Sequence, residues 1–164
     1  LQISLTQELT DLPTFRRNLY VNAFGEGLGL YCEYLGKEMG FYQDPYTYFG
    51  RLTYDMWRAC RLVLDVALHT KDWTREQAVD YLASHTALSI HEVNTEINRY
   101  ISWPGQALGY KVGDLAIQAL RRKAEAALGA KFDLRDFHRE VLSDGAVPMD
   151  VLEAKIDRWI AARQ

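Results

Sequence analysis

Glu26 stands between glycines in Gly25-Glu26-Gly27-Leu28-Gly29, inside a segment (LYVNAFGEGLGLYCEYL, 19–35) that is apolar or small on nearly every side. A carboxylate in such company must be paired, protonated or bound to a metal, because burying a bare charge is expensive. Two readings stay open: an ion pair with an arginine such as Arg58 or Arg61, or metal ligation and acid–base work. The same glycines offer a GxGxG spacing, but a phosphate cradle needs a strand before it, and both flanks read as helix. Small residues that let helices pack closely are the plainer reading.

Other chemistry-bearing residues are sparser. Asp65 lies four residues before His69 on one helix face, a spacing that suits an Asp–His pair serving either a catalytic tautomer or a structural hydrogen bond. His91-Glu92 opens like the zincin HExxH, yet position 95 is Thr, and Glu92 also fits as the third-position partner of a Ser89 cap. The segment from Arg99 to Lys111 (RYISWPGQALGYK) gathers recognition groups at a Pro-Gly break: Arg99 as a carboxylate clamp, Gln106 as an amide donor and Tyr110 as a phenol. The plainer alternative there is a helix corner with Arg99 paired to Glu96 or Glu92. His85 and His138 stand alone. There is no GxSxG elbow, and Cys32 and Cys60 show neither a CxxC spacing nor a disulfide framework.

These residues must be positioned by helices. Apolar positions recur with helical period and no stretch alternates like a strand, so the fold class is all-α. Asp44-Pro45 reads as a cap and a first-turn proline, and Thr74…Gln77 and Ser89…Glu92 read as capping boxes. Asp133 reads as a further cap and Gly145 as the helix end that follows it. About seven helices follow, running roughly over 15–39, 46–70, 74–84, 89–102, 104–128, 133–143 and 148–162. Residues 1–164 read as one all-α domain or as the C-terminal portion of a larger one.

Composition narrows the function classes. The 164 residues carry 19 basic and 22 acidic side chains, a net charge of −3, with 48% hydrophobic and 12% aromatic residues. Nucleic acid is not expected as the partner, since phosphate binding needs a basic excess or stripe. No apolar run reaches the length of a membrane span, and the apolar share argues against disorder. The opening Leu1-Gln2-Ile3-Ser4 has no Met and no signal-peptide pattern, which raises the expectation of a fragment or processed product.

Four strings carry a family resemblance: FGEGLGLYCEYLGKEMGFYQDPY (24–46), FGRLTYDMWRACRLVLDVALH (49–69), WTREQAVDYL (73–82) and RYISWPGQALGYKVG (99–113). In this order they resemble the C-terminal part of the DUF885 family of bacterial proteins, metallopeptidase-like hydrolases whose usual forms look like EGWALY, DTGLH and RYxxxPGQAxxYKxG. The resemblance implies a C-terminal portion of a larger helical metallopeptidase-like domain. The family's H-E-x-x-P-G-H-H metal signature would lie upstream. It further implies that Glu26 is a zinc ligand, that Tyr110 and His69 are candidates for stabilising the oxyanion, and that Arg99 and Gln106 bind substrate. Leu28 stands where Trp is usual, and Val66-Ala67 stand where Thr-Gly is usual; these departures bear on pocket shape.

The expected activity of the parent is zinc-dependent hydrolysis of a peptide or related amide. This chain alone is expected to be inactive, because one carboxylate falls short of the usual three protein ligands. An apolar face left for N-terminal helices is expected to drive homodimerisation. Any signal peptide would lie upstream, which leaves the compartment undecided. Two rival readings remain: a non-catalytic helical interaction module, and a site built across a pair of copies from Glu26, His69 or Glu33.

Overall fold

The computed structural model describes residues 2–164. In chain order its helices are α1 (Gln2–Glu8), α2 (Thr14–Asn18), α3 (Asn22–Glu38), α4 (Pro45–Thr70), α5 (Arg75–His85), α6 (Ile90–Ser102), α7 (Leu108–Leu128), α8 (Leu134–Leu142) and α9 (Met149–Ala161). A single 3-10 turn over Gly129–Lys131 follows α7. The all-α class holds, with nine α-helices among the described residues where about seven are expected.

Four helix starts, those of α4, α5, α6 and α8, follow side-chain caps. The Asp44 carboxylate accepts from the amides of Tyr46 and Thr47, and Pro45 opens α4. Thr74 with Gln77 and Ser89 with Glu92 form complete reciprocal capping boxes at α5 and α6. Asp133 accepts from the amides of Arg135 and Asp136 to start α8.

Three differences from the expected elements affect the site. The span 15–39 is two helices, because Leu19 and Val21 are extended (φ/ψ −68/130° and −111/112°). That break lets the Tyr20 ring lie over Gly25, where a Cβ would come 2.6 Å from Tyr20 Cε2. The span 104–128 begins its regular helix only at Leu108, because Gly105 takes a positive φ of 81° in a tight turn. Residues 2–8, expected outside any helix, form α1.

Two apolar cores result. Phe24, Leu28 and Tyr31 of α3 pack with Ile117, Leu120 and Ala124 of α7 and with Phe137, Leu152 and Ile156 of α8 and α9. Cys60 and Leu64 of α4 pack with Ala78 and Leu82 of α5, with Val93, Ile97 and Tyr100 of α6, and with Ala107. Glycine makes the α3–α7 crossing close: a Cβ on Gly27 would overlap the backbone of Gly113, and one on Gly113 would overlap the carbonyl of Ala23. Lys111 ties α7 to α4, donating to Asp55 at 2.6 Å and to the buried Asp114 at 2.9 Å.

Candidate functional site

α3 places Glu26 half-buried, at the mouth of a shallow open hollow. Tyr20, Asn22, Trp103, Pro104, Gly105 and Gln106 form the rest of its lining. Tyr20 Oη donates to Glu26 Oε1 at 2.9 Å. Partial burial, and then the Glu26 carboxylate acting as acceptor and as charge, push the Tyr20 phenol up to about 12, so it remains a donor at neutral pH.

Neither arginine considered as a Glu26 partner takes that role. Arg61 is buried; its Nη2 meets Glu96 Oε2 at 3.1 Å and its Nε donates to Tyr100 Oη at 2.9 Å. Arg58 stands 4.0 Å from Glu33, so that carboxylate is spoken for within the chain. Among the described residues, the ion pairs formed by Arg58 and Arg61 bypass Glu26, which keeps only the neutral Tyr20 hydroxyl as a hydrogen-bond partner.

The Pro-Gly corner facing Glu26 is clamped from three directions. The Asp65 carboxylate, 3% exposed, accepts from Gly105 N through both oxygens, at 2.9 and 3.1 Å. Asn22 Nδ2 donates to the Gln106 carbonyl at 2.8 Å. Arg99 Nη1 donates to the Gln106 side-chain oxygen at 2.6 Å. Arg99 is itself gripped by Glu96, at 3.2 Å (Nε to Oε1) and 2.8 Å (Nη2 to Oε2). Burial works to raise the Glu96 carboxyl, but the hydrogen bonds from Arg99 and Tyr100 and the charges of Arg99 and Arg61 outweigh it and hold it below the ordinary range.

The remaining expected site residues fall as follows. Tyr110 is half-buried on the first turn of α7, its ring 4.6 Å from the Arg61 guanidinium and 5.9 Å from that of Arg58. His69 sits on the last turn of α4, and its Nε2 meets the Tyr100 carbonyl at 3.0 Å. Asp65 and His69 therefore serve separate backbone partners instead of pairing with each other. Glu92 closes the Ser89 capping box, which accounts for the truncated zincin pattern. His85 stacks on Tyr81 with centroids 4.2 Å apart. His138 Nε2 meets Tyr31 Oη at 2.8 Å.

Glu26 and Gln106 thus share one hollow, with Arg99 behind Gln106 and Tyr110 beside the arginines of α4. His69 is not among the residues that line the hollow and meets the Tyr100 carbonyl instead. Three contributors were absent from the sequence reading: Tyr20, Asn22 and the Asp65 clamp. Tyr20 carries a local signal, an aromatic residue five positions before a glycine in an otherwise helical run. The other two act across 84 and 40 residues. Among the described residues no group of three His, Cys, Asp or Glu side chains converges as a metal site, and no helix is long and apolar enough to cross a membrane.

A solved protein of Colwellia psychrerythraea, described as "the putative lipoprotein", is 48% identical, with a TM-score of 0.96 over 98% of this chain and 28% of its own. The chain therefore spans little more than a quarter of that protein's length. No curated protein matches the sequence. Residues 1–156 match the family described as "Bacterial protein of unknown function (DUF885)", and the chain belongs to that family.

Proposed function

We propose that this chain forms one wall of a zinc-dependent hydrolase acting on peptides or related amides. It supplies one metal ligand and the substrate-facing corner. One observation carries the reading: among the described residues Glu26 is a half-buried carboxylate with no cationic partner, held by a neutral hydroxyl and lining one hollow with the polar Pro-Gly corner. A single hard oxygen with an uncommitted lone pair fits one position of a zinc site whose other ligands lie outside these residues. When bound, the metal would supply Lewis-acid activation of water and of the scissile carbonyl.

This chain's own residues would bind and orient. Because Arg99 holds the Gln106 oxygen, the Gln106 amide nitrogen is the end left to donate to a substrate carbonyl or carboxylate. Arg99, committed to Glu96 and Gln106, acts through Gln106 as a positioning residue. The Tyr110 hydroxyl is the candidate donor to a developing oxyanion. His69 anchors the end of α6 and reaches the chemistry only through that anchor.

Zinc analysis and amide hydrolysis test the proposal, using a polypeptide that carries the family's H-E-x-x-P-G-H-H segment ahead of this chain. Stoichiometric zinc and hydrolysis, both lost in Glu26→Gln with helicity unchanged, are the expected result. A folded polypeptide with neither zinc nor hydrolysis overturns it. The rival reading, a non-catalytic helical interaction module, is favoured by a separate observation: the exposed apolar side of α4.

A further inference from the structure

Arg61 is 3% exposed, and its contacts go well beyond one ion pair. Along one edge of the guanidinium, Nε donates to Tyr100 Oη at 2.9 Å and Nη2 to Glu96 Oε2 at 3.1 Å. Tyr100 Oη also accepts from Trp57 Nε1 at 2.9 Å, which fixes that edge from behind. The guanidinium carbon lies 4.4 Å from the Trp57 ring and 4.6 Å from the Tyr110 ring. The remaining nitrogen, Nη1, is buried with no hydrogen-bond partner among the described residues. Taking a cation out of water is costly, and an apolar side chain of similar volume often serves stability as well. An apolar side chain could not, however, hold two groups of the candidate site at once.

We propose that Arg61 is a positioning residue that sets Gln106 and Tyr110 relative to one another. Two arms leave it. The first runs through Glu96, whose Oε2 also accepts from Arg99 Nη2 at 2.8 Å, and on through Arg99 Nη1 to the Gln106 side-chain oxygen at 2.6 Å. Every link is a directional, charge-assisted hydrogen bond between planar groups, so the orientation of Arg61 is passed to the Gln106 amide. The second arm is the contact with the Tyr110 ring. A cation against a phenol ring favours one placement of that ring, and it attracts the electron density that gathers on the oxygen as the hydroxyl donates. Lysine could not replace Arg61, because a single ammonium has neither the two-donor edge nor the planar face. The inference rests on the hydrolase reading for the reaction it serves, and on contacts within this chain for the coupling. None of those contacts depends on what lies against the outer side of α4.

Nuclear magnetic resonance of the 164-residue chain reads the coupling. In Arg61→Lys the side-chain amide protons of Gln106 and the ring protons of Tyr110 are expected to shift together toward their unstructured values, while the signals around Glu26 stay. Arg61→Met, which suits the buried site by volume, is expected to give the same shifts and decides the matter if the lysine variant does not fold. Leu64→Ala opens the same core beside Arg61 and controls for destabilisation alone; it should leave both groups in place. Signals that stay fixed in both Arg61 variants, or that move as far in Leu64→Ala, overturn the inference. In the longer polypeptide that tests hydrolysis, Arg61→Lys is expected to keep its zinc, because Tyr20 and not Arg61 holds Glu26. Its kcat is expected to fall about 10²-fold, the scale of a misplaced group. Adding Tyr110→Phe should cost less than the two losses multiplied, as for residues that act through one another. An active polypeptide in which Arg61→Lys keeps its kcat, or in which the losses multiply, overturns this inference and leaves the hydrolase reading standing. An unsubstituted polypeptide without hydrolysis removes that reading, and with it the reaction that Arg61 would serve.

Discussion

Replacing Gly113 by alanine sets two known effects against each other. Alanine in a helix interior gains about 1 kcal/mol over glycine from propensity. At Gly113, however, the new methyl would overlap the Ala23 carbonyl oxygen and stand 2.8 Å from Gly27 Cα, both backbone atoms that cannot swing aside as a side chain does. Overpacking a tight contact costs about 1–3 kcal/mol and more where backbone must move, so Gly113→Ala is expected to lose about 2 kcal/mol net. Gly50 of α4 is the control, since a Cβ there meets nothing within 4 Å. Gly50→Ala is expected to gain about 0.5–1 kcal/mol. For a domain of this size a kcal/mol moves Tm by about 2–4 °C, so the two variants should melt well apart on either side of the parent chain. Urea and thermal unfolding followed by circular dichroism measure both. Equal shifts of the same sign would refute the reasoning, because the two sites differ only in what their added methyl touches.

Three further outcomes follow, two from the corner and its support and one from His138 beside Tyr31. Asp65→Ala leaves the Gly105 amide without its acceptor and is expected to cost about 1–3 kcal/mol; amide exchange should rise selectively over residues 103–107. Glu96, held low in the folded state, contributes stability above its unfolded pKa that is lost as pH falls through its depressed folded value. Glu96→Gln should therefore flatten the acid side of the stability curve below pH about 4.5, and an unchanged acid limb would show that Glu96 is not engaged. Burial, and then the Arg121 charge, lower the His138 imidazole, so it favours the folded state above its unfolded pKa. That stability is lost as pH falls from about 6.5, and a proton titration of His138 should give a midpoint below that value.

Much of the helical scaffold was legible because its signals are local. Asp44-Pro45, Thr74…Gln77 and Ser89…Glu92 are read from neighbouring residues, and they start helices where the spacing predicts. The break at Leu19–Val21 was not legible from apolar periodicity, which runs through it; it shows only in the extended backbone that sets the Tyr20 ring over Gly25 and its hydroxyl on Glu26. Pro104 misled in a specific way. A proline suits a first helical turn, but the left-handed backbone of Gly105 postpones α7 to Leu108. Glu26 stood out because a carboxylate among glycines is costly, whereas its environment was set by partners the chain brings from afar. Arg61 went to Glu96 and Arg58 to Glu33, choices that depend on how α4 turns against α3 and α6 and not on any spacing.

The corner at 103–107 also has a mechanical meaning. One of its clamps, Asn22, comes from the helix that builds the first apolar core, and another, Asp65, comes from the helix that builds the second. The turn is thus pinned to both cores through neighbouring residues, Gln106 to the first and Gly105 to the second. Glu26 and Tyr110 ride on the two helices that meet backbone to backbone at Gly27 and Gly113. The hollow is therefore set on both of its edges by one helix: Asn22 ties the corner to α3 one turn before Glu26, so carboxylate and corner are attached to the same element.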